Sequence, residues 1–106
     1  MKKWFGCVAV MLAILCVVPA RADDVEQARA EFWQGNEAFA LHDYRRALEH
    51  FELAYELAPN PRLLEYMARC HAEVGDYGLA IQRLELLVEQ EPESAEELRA
   101  SIEELR

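Results

Sequence analysis

The stretch LHDYRRALEHFELAYELAPN, residues 41–60, decides how the chain folds, because it recurs 33 residues later as VGDYGLAIQRLELLVEQEPE at 74–93. Seven of the twenty positions are identical: Asp43/Asp76, Tyr44/Tyr77, Ala47/Ala80, Glu52/Glu85, Leu53/Leu86, Glu56/Glu89 and Pro59/Pro92. Other pairs keep their kind, among them Leu48/Ile81, Phe51/Leu84 and Ala54/Leu87. Periods in the thirties belong to helix pairs that cannot bury their apolar faces alone and therefore stack on copies of themselves. Tyr44, Ala47, Leu48, Phe51, Ala54, Tyr55 and Leu57 fall mostly three or four apart, which places them on one face of an amphipathic helix. Tyr77, Ala80, Ile81, Leu84, Leu87 and Val88 repeat the pattern.

Working outward, the punctuation predicts a first helix in each unit, joined to the second by a tight turn. Val25 to Leu41 contains no proline and is rich in Ala and Glu, both good helix formers. Asp43 and Asp76 stand where an N-cap is wanted. Gly75 suits the bend before the second of these, whereas His42 holds that place in unit one, so the first turn must accept a side chain where glycine would be easier. Asn60 followed by Pro61 suits an N-cap and a first-turn proline, so one unit ends and the next begins there. Pro92 breaks the last repeat helix, and Ser94 with Glu97 predicts a capping box for a closing helix. That helix has one narrow apolar stripe, Ala95, Leu98, Ile102 and Leu105, opposite Glu96, Glu97, Arg99, Glu103, Glu104 and Arg106, and so suits a terminal cap.

Residues 1–22 are expected to be a signal peptide rather than part of the fold. Lys2 and Lys3 precede an apolar run from Trp4 to Val18, and Ala20 and Ala22 form the small-x-small pattern of a cleavage site after Ala22. That run of about 15 residues is shorter than the ~20 a membrane-spanning helix needs. Lipidation at Cys16 is the alternative, disfavoured by Leu15 where a small side chain is wanted. Cleavage would remove Lys2, Lys3 and Arg21, leaving eight arginines against twenty acidic residues, a net charge of −12 with no lysine. Such a surface repels phosphate backbones and anionic lipid, so nucleic acid and membrane surfaces are poor partners, and no membrane insertion is expected after signal cleavage. Only Cys70 would survive processing, so no internal disulfide is available.

These residues resemble tetratricopeptide repeats. Unit one supplies Gly35, Asp43, Tyr44, Ala47, Phe51, Ala54 and Pro59; unit two supplies Ala68, Gly75, Asp76, Tyr77, Ala80, Leu84 and Pro92. The resemblance covers roughly residues 25–106 and implies an all-α fold: antiparallel helix-turn-helix pairs stacked as a short solenoid with a C-terminal capping helix. The expected divisions are signal peptide 1–22, unit one 23–60, unit two 61–92 and capping helix 93–106. Glu31 and Gln34 depart from the pattern, standing where large apolar residues are usual, so the first helix is expected to be rotated or frayed. Leu87 replaces a small alanine and predicts a wider gap between neighbouring helices. The Asn60–Leu64 stretch and the acidic closing helix are similar to exported repeat proteins of Gram-negative bacteria, which implies the periplasm.

The resemblance also implies a non-enzymatic scaffold that binds a protein or peptide on the concave face lined by the first helices. The repeat shift pairs Arg29 with Arg62, Phe32 with Glu65, Asn36 with Arg69, Phe39 with Ala72 and Ala40 with Glu73. Arg29, Phe32, Asn36, Phe39, Arg62, Glu65, Arg69 and Glu73 are therefore the candidate groove, with arginine and amide donors for an acidic or C-terminal peptide. A blander reading pairs Arg69 with Glu65 or Glu73, and Arg62 with Glu65, along their own helix. Trp33, Phe32 and Phe39 are either core or exposed anchors, and so short a stack could instead self-associate through its uncovered first helix as a homo-oligomer. No cofactor or metal is called for, since His42, His50 and His71 are 8 and 21 residues apart and Cys70 and His71 diverge on a helix. Ser94 and Ser101 lack a nearby base, and Gly35, Gly75 and Gly78 form no phosphate loop.

Overall fold

The computed structural model describes residues 21–106. The proposed signal segment and the Cys16 alternative lie outside the described residues, except for Arg21 and Ala22. Among the described residues there are five α-helices: α1 (Ala22–Ala40), α2 (Tyr44–Leu57), α3 (Pro61–Glu73), α4 (Tyr77–Gln90) and α5 (Ala95–Leu105), with a 3-10 turn at Pro92–Ser94. Helices α1 and α2 pack as one pair and α3 and α4 as a second; α3 also packs on α2, and α5 on α4. The fold is the all-α stack of helix pairs with a closing helix that the repeat predicts.

The turns follow from a few residues. Gly75 adopts φ 88° and His42 φ 61°, so both bends use the left-handed region, and His42 carries a side chain there. Its ring is held by a 2.7 Å hydrogen bond between Nδ1 and the Tyr44 hydroxyl. Asn60 caps α3 by accepting from the Arg62 amide at 3.0 Å, with Pro61 in the first turn. Asp43 accepts from the Arg46 amide at a long 3.4 Å, and the Asp76 side chain caps nothing. The capping box expected at Ser94 is also absent: its side chain makes no cap bond, because the 3-10 turn feeds the chain into α5 directly.

The interior is thin and continuous across the pairs. Ala47, Phe51, Ala54, Leu64, Met67 and Cys70 are almost wholly buried, and Leu87 of α4 joins this cluster from the second pair. Ala68, Ala80, Leu84 and Ile102 form a second cluster that anchors α5. Gly35 lets α1 and α2 approach: a Cβ there would lie 2.6 Å from the Phe51 ring. The first helix is neither broken nor frayed at Glu31, since α1 runs without interruption from Ala22 to Ala40. Glu31 instead accepts a 2.7 Å hydrogen bond from His50 Nδ1 of α2, both side chains being 18% exposed. A polar residue at an apolar position is thus matched by a partner on the facing helix.

Candidate functional site

A groove of about 350 Å³ opens between the first helices of the two pairs. Val25, Ala28, Arg29 and Phe32 of α1 form one wall, Arg62, Leu63 and Tyr66 of α3 the other, and Ala58 and Asn60 close one end. The rings of Phe32 and Tyr66 meet edge-on, 5.4 Å apart at 72°, and Phe51 supports both from the core at 5.9 and 5.3 Å. The floor is therefore rigid and apolar, and two guanidinium groups stand on its rim. The Asn60 cap fixes the first turn of α3, which carries Arg62.

Two smaller grooves continue along α3. One, of about 250 Å³, is lined by Arg62, Glu65, Tyr66, Arg69, Leu87 and Glu91. The other, of about 220 Å³, lies between α3 and α5, with Glu65 and Arg69 facing Leu98, Ser101, Glu104 and Leu105 over a floor of Ala68, Ala72 and Leu84. Arg69 Nη2 donates to Glu65 Oε1 at 3.0 Å, so the within-helix pairing expected of this arginine is present. With side chains 60% and 49% exposed, such a pair contributes only about 0.3–0.5 kcal/mol and yields readily to a better partner.

The eight candidate residues thus separate into groups. Arg29, Phe32 and Arg62 share the main groove, while Glu65 and Arg69 line the two that follow it. Asn36, Phe39 and Glu73 line none of these three. Phe39 packs edge-on against Tyr44 at 5.3 Å, Asn36 is half-buried, and Glu73 faces the Tyr44 phenol, which partial burial and then that carboxylate hold above its ordinary value. Val25, Asn60, Leu63 and Tyr66 were not foreseen as groove residues, nor was α5 as a wall. For Tyr66 a signal existed: it lies four residues after Arg62, hence on the same face.

Tyr66 and Trp33 occupy the same register position, 33 residues apart, yet Tyr66 is half-buried and Trp33 is 60% exposed. The difference is their neighbour. Tyr66 has Phe32 of the preceding pair beside it, whereas among the described residues no earlier helix stands beside Trp33.

A tetratricopeptide repeat family model matches residues 38–104. The chain belongs to the tetratricopeptide repeat family. Repeats of this family are a non-catalytic module that mediates protein–protein interactions. Among the described residues no group of three or more His, Cys, Asp or Glu side chains is placed to hold a metal ion, and no helix is long and apolar enough to cross a membrane.

Cys70 lies wholly inside the repeat core, and burial first, then Glu73, push its thiol up to about 11. The thiolate is the reactive form, so the protein made without residues 1–22, whose one cysteine is Cys70, is expected to resist aromatic disulfide reagents at neutral pH. Labelling should proceed only as fast as the fold opens; rapid reaction of one thiol per chain without denaturant would contradict this burial.

Proposed function

We propose that the protein is an adaptor that holds a peptide or protein segment in the groove between α1 and α3. The observation that carries this reading is the combination of a rigid apolar floor, Phe32, Leu63 and Tyr66, with the cations Arg29 and Arg62 on its rim. An apolar side chain beside a carboxylate fits such a surface, so the segment is acidic or a C-terminus. In a chain this acidic, arginines gathered on one face also relieve the repulsion that such a segment would otherwise meet. Residues 1–22 support export with cleavage after Ala22, and the likeness of the Asn60–Leu64 stretch and the acidic closing helix to exported Gram-negative repeat proteins supports the periplasm, with an envelope complex as the setting.

Affinity purification of the mature form from its own cell envelope, with partner identification, tests the reading. Arg62→Glu together with Arg29→Glu is expected to weaken partner capture at least tenfold while leaving the circular dichroism spectrum unchanged, because both side chains are exposed. Undiminished capture would end the proposal. A second reading, a self-associating subunit, is favoured by Trp33, 60% exposed on α1 where no earlier helix stands among the described residues. A differently tagged second copy in the same purification separates the two: its recovery, lost in Trp33→Gln, marks self-association.

A further inference from the structure

Beyond the groove, on α3, lies a group that neither the repeat pattern nor the binding role uses. His71 is only 4% exposed, and neither of its ring nitrogens has a hydrogen-bond partner among the described residues. Beside it, the Nε of Arg83 on α4 is equally enclosed and without a partner. The other charged groups that face the imidazole are Glu52 of α2 and Asp76 in the turn before α4. The ring therefore sits among side chains of both helix pairs, near one cation and two carboxylates.

We propose that His71 is a proton-operated latch: neutral, it lets α2, α3 and α4 close on one another; protonated, it is driven from its site toward Glu52 and Asp76 and loosens that junction. Several physical reasons converge. A buried polar ring with no hydrogen bond is held by packing alone, so little opposes its departure once it is charged. An imidazolium next to the Arg83 guanidinium adds like-charge repulsion in a poorly solvated site. The carboxylates supply a destination, because an outward swing toward Glu52, itself exposed, gains water and an opposite charge together.

The direction of the pH effect follows from the same neighbours. Burial first, then Arg83, hold the imidazole below its ordinary value, against the opposing pull of Glu52 and Asp76. Well above about pH 6.5 neither the folded nor the unfolded chain protonates this ring, and its titration does not change stability. As pH falls through that value the unfolded chain takes up the proton and the closed chain resists it, so stability drops until the folded form also protonates. The latch stands apart from the groove reading, since it is read on the protein alone.

The experiment is urea unfolding of the mature protein at pH 7.5 and pH 5.0, alongside NMR titration of the imidazole signals. The wild type is expected to lose midpoint at pH 5.0, with the His71 ring titrating below free histidine and amides of α3 and α4 shifting with it. His71→Leu and His71→Gln, two variants in case one folds poorly, should each abolish most of that loss. His50→Gln, which removes the imidazole paired with Glu31, should retain it. An unchanged pH dependence in both His71 variants, or a His71 ring that titrates like free histidine, would overturn the latch. Loss of midpoint without any shift in α3 and α4 amides would overturn it as well.

Discussion

Phe51→Ala is expected to lower the urea-unfolding midpoint of the protein by about a third or more. A chain of this size holds about 4–12 kcal/mol of stability, and truncating a buried phenylalanine removes about 3–5 kcal/mol through lost burial and the cavity left behind. Phe51 stands at the upper end of that range, because it is wholly buried and its ring touches Phe32 and Tyr66 as well as the α-carbon of Gly35. Aromatic pairs such as these, tilted by 44° and 31°, add about 0.5–1.5 kcal/mol each beyond area alone. The thin interior offers little to refill the space, since its neighbours on α2 are Ala47 and Ala54. Urea unfolding followed by circular dichroism checks it. A midpoint within a tenth of the wild-type value would show that the core does not hinge on this ring.

Gly35→Leu should approach the same effect from the opposite direction. Leucine is among the best helix formers, so on propensity alone the exchange would stabilise α1 by about 1 kcal/mol. The Cβ, however, would fall 2.6 and 2.7 Å from two Phe51 ring carbons, closer than carbon atoms approach without a shift. Phe32 and Tyr66 hold that ring on its other sides, so it cannot swing clear. Overpacking costs about 1–3 kcal/mol for small intrusions, and a whole leucine side chain here should exceed the helix gain by about 2 kcal/mol or more. The double variant Gly35→Leu, Phe51→Ala gives a sharper check. The new side chain would occupy the space the ring vacates, so the two losses should sum to less than their separate values. Strict additivity would show that Gly35 and Phe51 do not compete for one volume.

The helices were legible in the sequence because their ends are marked by residues with few conformational options. Pro61 cannot continue the helix before it, Gly75 opens a left-handed bend, and Asn60 satisfies a free amide, so the limits of α2, α3 and α4 coincide with these residues. The entry to α5 was less legible, since Ser94 suits a cap as well as the 3-10 turn it joins, and only packing against α4 decides between them. The groove was legible in part. Pairing residues by the repeat finds Arg29 with Arg62, but it does not show that Phe39 turns to Tyr44 or that Glu65 and Arg69 face α5. Those outcomes depend on the angle and rotation at which neighbouring helices pack, which spacing within one helix does not encode. The Glu31–His50 and His71–Arg83 neighbours escaped for the same reason: residues 19 and 12 positions apart meet only once helices face each other.

The exposed indole on α1 gives the molecule its own optical probe. Of the two tryptophans in the sequence, Trp4 lies in the segment expected to be removed, so emission from the processed protein would come from Trp33 alone. Its ring centroid is 6.4 Å from that of Phe32, whose other neighbours are the core ring Phe51 and the groove ring Tyr66. Three events then have separate spectral signatures at one position: water leaving the indole when a second copy covers α1, a smaller displacement relayed through Phe32 when the groove fills, and full hydration when the stack comes apart.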